Sequence, residues 1–115
     1  LNKFMATLSS HLLNSVDGTH ANGVKVIINQ INSSGEKIIF FETETDNGGR
    51  ILKDFNLSEK DCECDYEMVC KTSDYFSEKK IVSEIIIKFR MEDPKKKYHL
   101  PIIISPNGYS IWWSQ

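Results

Sequence analysis

Short runs of β-branched and aromatic residues recur along the chain, separated by turns rich in Gly, Asn, Asp and Ser. The clearest pair is residues 24–31 and 37–45. Apolar positions alternate in part through both, and Asn32-Ser33-Ser34-Gly35 between them predicts an antiparallel hairpin. A second hairpin ends the chain. Tyr98-His99-Leu100-Pro101-Ile102-Ile103-Ile104 is oily and too short for a core helix, Ser105-Pro106-Asn107-Gly108 closes it, and residues 109–113 return from that turn. Residues 7–14, 50–55, 66–72 and 82–91 read as further strands, the last with Ile85, Ile87 and Phe89 on one face. Only residues 73–80 look helical, with Ser73 as a cap, an acidic start and Lys79-Lys80 at the end, enough for about two turns. Residues 58–65, filled with cysteines and acids, read as an exposed loop. Strands at roughly ten-residue spacing with one brief helix predict an all-β sandwich.

Composition narrows this picture. A chain of 115 residues is expected to form one domain, with residues 1–6 as a flexible extension. The formal net charge of −2 mixes both signs, so no basic field for nucleic acid exists, and the short run Lys95-Lys96-Lys97 reads as a solvated loop. No apolar stretch approaches the ~20 residues of a membrane helix, and no secretory pattern opens the chain. Three cysteines, Cys62, Cys64 and Cys70, are an odd number at spacings that suit neither a disulfide framework nor a zinc pair, so they read as free thiols in a reducing compartment. The cytoplasm is expected, with the peroxisome as alternative.

The candidate chemistry is spread thinly. His11 interrupts the first strand, Arg50 follows the flexible Gly48-Gly49 turn, and His99 opens the long C-terminal strand. Singly, each has a plain structural reading: a surface strand residue, an edge charge that discourages aggregation, and a satisfied histidine at the core's edge.

Together they fit a wider pattern. Leu8-Ser9-Ser10-His11-Leu12-Leu13-Asn14, Gly23-Val24-Lys25-Val26, Thr45-Asp46-Asn47-Gly48-Gly49-Arg50 and the stretch from Tyr98 to Ser110 resemble the transthyretin-related family, and within it the 5-hydroxyisourate hydrolase branch. The resemblance runs from about Thr7 to the end of the chain. It implies two four-stranded sheets packed face to face with one short helix, a homotetramer, and a site between subunits formed by His11, Arg50 and His99. The substrate it implies is a planar, oxygen-rich, purine-derived ring opened by water. A guanidinium suits such oxygens and holds developing negative charge. Imidazoles near neutral pKa suit activation of water and protonation of the leaving nitrogen. Which histidine is the base stays open, and no metal or organic cofactor is expected. The branch ends in Tyr-Arg-Gly-Ser, whereas this chain ends in Trp112-Trp113-Ser114-Gln115. The alternative is therefore a non-catalytic transthyretin-like protein that binds an aromatic molecule or partner on Trp112 and Trp113. A relative acting on another purine-derived ring is the weaker third reading.

Overall fold

The computed structural model describes residues 5–112. Strand β1, Ala6–Asn14, follows the period-two rule throughout: Ala6, Leu8, Ser10, Leu12 and Asn14 are buried, while Thr7, Ser9, His11 and Leu13 point the other way and stay half-buried. It is followed by β2 (Lys25–Ile31), β3 (Lys37–Glu44) and β4 (Arg50–Phe55). Helix α1 (Glu59–Glu63), β5 (Asp65–Cys70) and helix α2 (Thr72–Tyr75) come next, and β6 (Ile85–Arg90), β7 (Lys97–Ser105) and β8 (Gly108–Ile111) end the order. The strands form two four-stranded sheets, ordered β4-β1-β7-β8 and β3-β2-β5-β6. The expected sandwich and both expected hairpins are present.

The inner faces of the two sheets share one apolar core. Leu8, Leu12, Ile102 and Ile104 from the first sheet face Val26, Ile28, Tyr66 and Met68 from the second. β1 and β7 lie parallel in the middle of the first sheet, in register from Thr7–Lys97 to Asn14–Ile104. The start and the end of the chain are thereby joined. Most buried polar side chains among the described residues are paired, as burial demands, the Thr72 hydroxyl being without a partner. The Ser10 hydroxyl donates to the Leu100 carbonyl at 2.6 Å. Gln30 Nε2 donates to the Tyr66 hydroxyl at 2.9 Å and to Asp61 Oδ1 at 2.8 Å, tying the second sheet to α1. Burial pushes the Tyr66 phenol up to about 12, so it stays a neutral donor to the Asp61 carbonyl.

Three expectations are corrected. Instead of one helix over 73–80 there are two single turns. α2 begins without a side-chain cap at Lys71 and stops when Phe76 turns inward to bury its ring. α1 forms in the stretch read as loop, because Ser58 and Asp61 make a reciprocal capping box. At the N-terminus, Ala6, assigned to a flexible extension, is a fully buried strand residue paired with Phe55.

One turn fixes the first sheet. Gly49 has φ +72, and a Cβ there would lie 2.4 Å from the Leu12 carbonyl oxygen and 3.0 Å from the Ala21 nitrogen. The Gly49 carbonyl accepts from Leu12 N at 2.8 Å, and the Leu12 carbonyl accepts from Ala21 N at 2.9 Å. We therefore expect Gly49→Ala to lose about 2–4 kcal/mol in chemical denaturation, from left-handed strain plus a backbone clash. Gly35→Ala should lose only about 1 kcal/mol, since Gly35 shares the positive φ but a Cβ there meets nothing. Equal losses in the two variants would refute the steric account.

Candidate active site

The outward face of the first sheet collects the chemistry. Across β1 and β4, His11 pairs directly with Arg50, which sets their side chains about 5 Å apart at Cβ. Across β1 and β7, Ser9 pairs with His99 and His11 with Pro101, so His99 sits diagonally from His11 on the same face. The structure thus brings together all three residues singled out on the sequence.

Each side chain is aimed by its neighbours. The turn before Arg50 is held by Asp46, whose Oδ1 accepts from the Gly48 and Arg50 amides, both at 2.9 Å. Those amide bonds, the Arg50 one foremost, hold the Asp46 carboxyl below the usual carboxylate range. The Arg50 guanidinium makes no ion pair among the described residues, which leaves a planar fork of donors for a ligand. The Ser9 hydroxyl is hydrogen-bonded to His99 Nδ1 at 2.8 Å, so Nε2 is the nitrogen left for a ligand. Burial of the ring, then the Arg50 charge, then His20 push His11 below the usual histidine value, partly offset by the Gly48 carbonyl. His11 is therefore a neutral imidazole at neutral pH.

Two partners escaped the sequence reading. Ser9 lies within the matched stretch Leu8–Asn14 but carries no role there. His20 lies in a loop that folds back on β1, bridged to Leu13, with its ring edge to edge with that of His11, centroids 5.0 Å and planes 24° apart, and its Nδ1 2.8 Å from His11 Nε2. The available signal was the Asp17-Gly18 turn, which reverses the chain between the two histidines. Of the aromatic pair expected to form a ligand surface, Trp112 lines an apolar groove of about 320 Å³ with Ile87, Phe89, Leu100 and Ile111. That groove lies at the sandwich edge, where β6 and β8 end the two sheets. Trp113, Ser114 and Gln115 lie outside the described residues.

The thiols take no part in this face. Burial alone raises Cys70 to about 12, and burial with the Asp61 carboxylate raises Cys62 and Cys64. All three are free and protonated at neutral pH.

Comparison with known proteins extends the picture beyond geometry. Residues 8–113 match the model of the HIUase/Transthyretin family. The chain is 29% identical over 112 residues to the 5-hydroxyisourate hydrolase of Halalkalibacterium halodurans, covering 91% of this chain and 94% of that protein. The structure of Klebsiella pneumoniae 5-hydroxyisourate hydrolase is similar with a TM-score of 0.75 at 27% identity, covering 96% of this chain and all (100%) of that one. Transthyretin from Sparus aurata shares the fold, with a TM-score of 0.78 at 21% identity over 93% of this chain and 95% of that chain. Two four-stranded sheets in this topology, together with a family match that runs almost from end to end, lead to one conclusion: this chain belongs to the HIUase/Transthyretin family.

Proposed function

We propose that this chain is a 5-hydroxyisourate hydrolase and that His11, Arg50 and His99 carry the reaction. The observation behind this assignment is an uncompensated guanidinium beside two imidazoles on one sheet face, in a chain that resembles hydrolases of that name. Arg50 binds the oxygens of the planar ring and holds the negative charge that develops on the attacked carbonyl. One imidazole takes a proton from the attacking water. Its oxygen bonds to the carbonyl carbon, the carbon–nitrogen bond breaks, and the second imidazole protonates the departing nitrogen. Among the described residues no His, Cys, Asp or Glu cluster could hold a metal ion, and the reaction so written draws on side chains alone.

The proposal includes a homotetramer with the site between subunits. Leu52 is 74% exposed on the outward face beside Ser9, and Leu13 and Ile103 flank the polar residues. Such an apolar rim around a polar centre suits a second copy better than water. The proposed compartment is the cytoplasm, where three free thiols are stable, and no helix of the described residues is long and apolar enough to cross a membrane.

Freshly generated 5-hydroxyisourate, followed spectrophotometrically, should decay much faster with the protein than without it. His11→Ala and His99→Ala should each lower kcat/KM by about 100-fold or more. Wild-type rates in either variant would remove that residue from the site, and no acceleration from an intact assembly would turn attention to ligand binding at the Trp112 groove.

The pH profile follows from the lowered His11 value. A base with a depressed pKa stays neutral to lower pH, so the acid limb of kcat/KM should lie below the ordinary histidine value of about 6.5. In Arg50→Gln the surviving turnover should show that limb moved upward, since the second-largest cause is gone. The same sign applies to folding. Below about pH 6.5 the unfolded chain binds this proton more readily than the folded one, so His11's contribution to stability is lost as pH falls.

Assembly is separately testable. Leu52→Glu should shift sedimentation from tetramer to smaller species and take turnover with it, while leaving the sandwich of each subunit folded. A tetramer with full activity in that variant would move the interface elsewhere.

A further inference from the structure

The pair His11–His20 has a geometry that the three-residue site does not use. Nε2 of His11 and Nδ1 of His20 lie 2.8 Å apart, so one N–H must sit between them. Two neutral imidazoles carry two N–H groups in all. With one in the bridge, a single lone pair remains for the outside, at one end of the pair. His11 is therefore left with Nδ1 alone, which can take a proton from water and, once protonated, donate to the Gly48 carbonyl.

The two rings meet different neighbours. His11 faces Arg50 directly across the strands, whereas His20 is bridged to Leu13, two residues further along β1. The charged and titratable groups acting on His11 are Arg50 from β4, His99 from β7 and His20 itself, and Asp46 feels both Arg50 and His11. An imidazolium at His11 stands against the guanidinium. The same proton at His20 stands on a ring whose centroid lies 5.0 Å from that of His11.

Building on the proposed hydrolase reading, we propose that His20 is a further positioning residue, which holds His11 through its Nε2 proton and accepts that proton when His11 acts as base. Water gives a proton to His11 Nδ1, the proton on His11 Nε2 passes to His20 Nδ1, and His20, already protonated at Nε2, becomes the imidazolium. Reversal of these transfers returns the proton to the product side. The two rings then titrate as one unit.

The test uses the full-length protein labelled with 15N at histidine, whose ring shifts report which nitrogen is protonated. The expected result is His11 protonated at Nε2, His20 bare at Nδ1, and both rings responding to the first proton with a common midpoint. A proton on His20 Nδ1 in the neutral pair, or two independent titrations, would overturn the proposal. Kinetics supply the second arm. His20→Ala should lower kcat at least about tenfold with KM within about twofold, and should make the acid limb of the pH profile shallower. His20→Asn keeps an acceptor near the Nδ1 position but cannot take the proton, so it should recover KM and ring orientation without recovering kcat. Full kcat in both variants with an unchanged pH profile would equally refute it. A wild-type protein whose rings titrate together but which leaves 5-hydroxyisourate untouched would sustain the pair and remove the hydrolase reading instead.

Discussion

The face that holds His11, Arg50 and His99 depends on one backbone junction. At Leu12 the β1 strand gives its amide to Gly49 and its carbonyl to Ala21, so two loops distant in sequence are clamped to opposite groups of one residue. The fit leaves no space for a Cβ at position 49. Both clamps lie next to a side chain of the candidate site. Gly49 precedes Arg50, and Ala21 follows His20, so the junction that closes the sheet also brings a guanidinium and an imidazole to His11 along one edge of β1. Hydrogen bonds of the main chain are stiffer guides than side-chain contacts, and a site of exposed, long-reaching groups needs such guides.

The second dependency is the parallel pairing of β1 with β7. A parallel pair cannot be made by a tight turn, so it forms only when the ends of the chain meet across the whole intervening sequence. It brings Ser9 to His99, and with it the orientation of that ring. The His99 part of the site thus depends on contacts between segments far apart in sequence.

Much of this was legible beforehand. Partial alternation at residues 24–31 and 37–45, and the shared face of Ile85, Ile87 and Phe89, were visible because side chains on a pleated strand must alternate. The turn at Asp46-Asn47-Gly48-Gly49 was visible because its residue types suit tight turns, and the resemblance at Ser9-Ser10-His11 and Tyr98-His99-Leu100-Pro101 picked out the polar groups. What stayed hidden was set by tertiary contact. α2 shrank to a turn because burial of Phe76 outweighed its helical propensity. α1 was overlooked although Ser58 and Asp61 spelled a capping box, since acidic composition masked it. His20 was missed because its position depends on a loop folding back to Leu13, which periodicity does not encode.

A last feature lies far from the reactive face. Cys70 is wholly inside the core, and its thiol is held protonated to about pH 12 by burial alone. Only the thiolate reacts with electrophiles and oxidants, so in the closed sandwich this sulfur is inert both by access and by charge. It becomes reactive only when β5 separates from its neighbours at the centre of the second sheet. Half-exposed Cys62, within α1, and Cys64, its C-cap, answer to smaller openings. The chain thereby contains its own graded probe of opening, in which alkylation at the three sulfurs separates fraying of one helical turn from loss of the whole core.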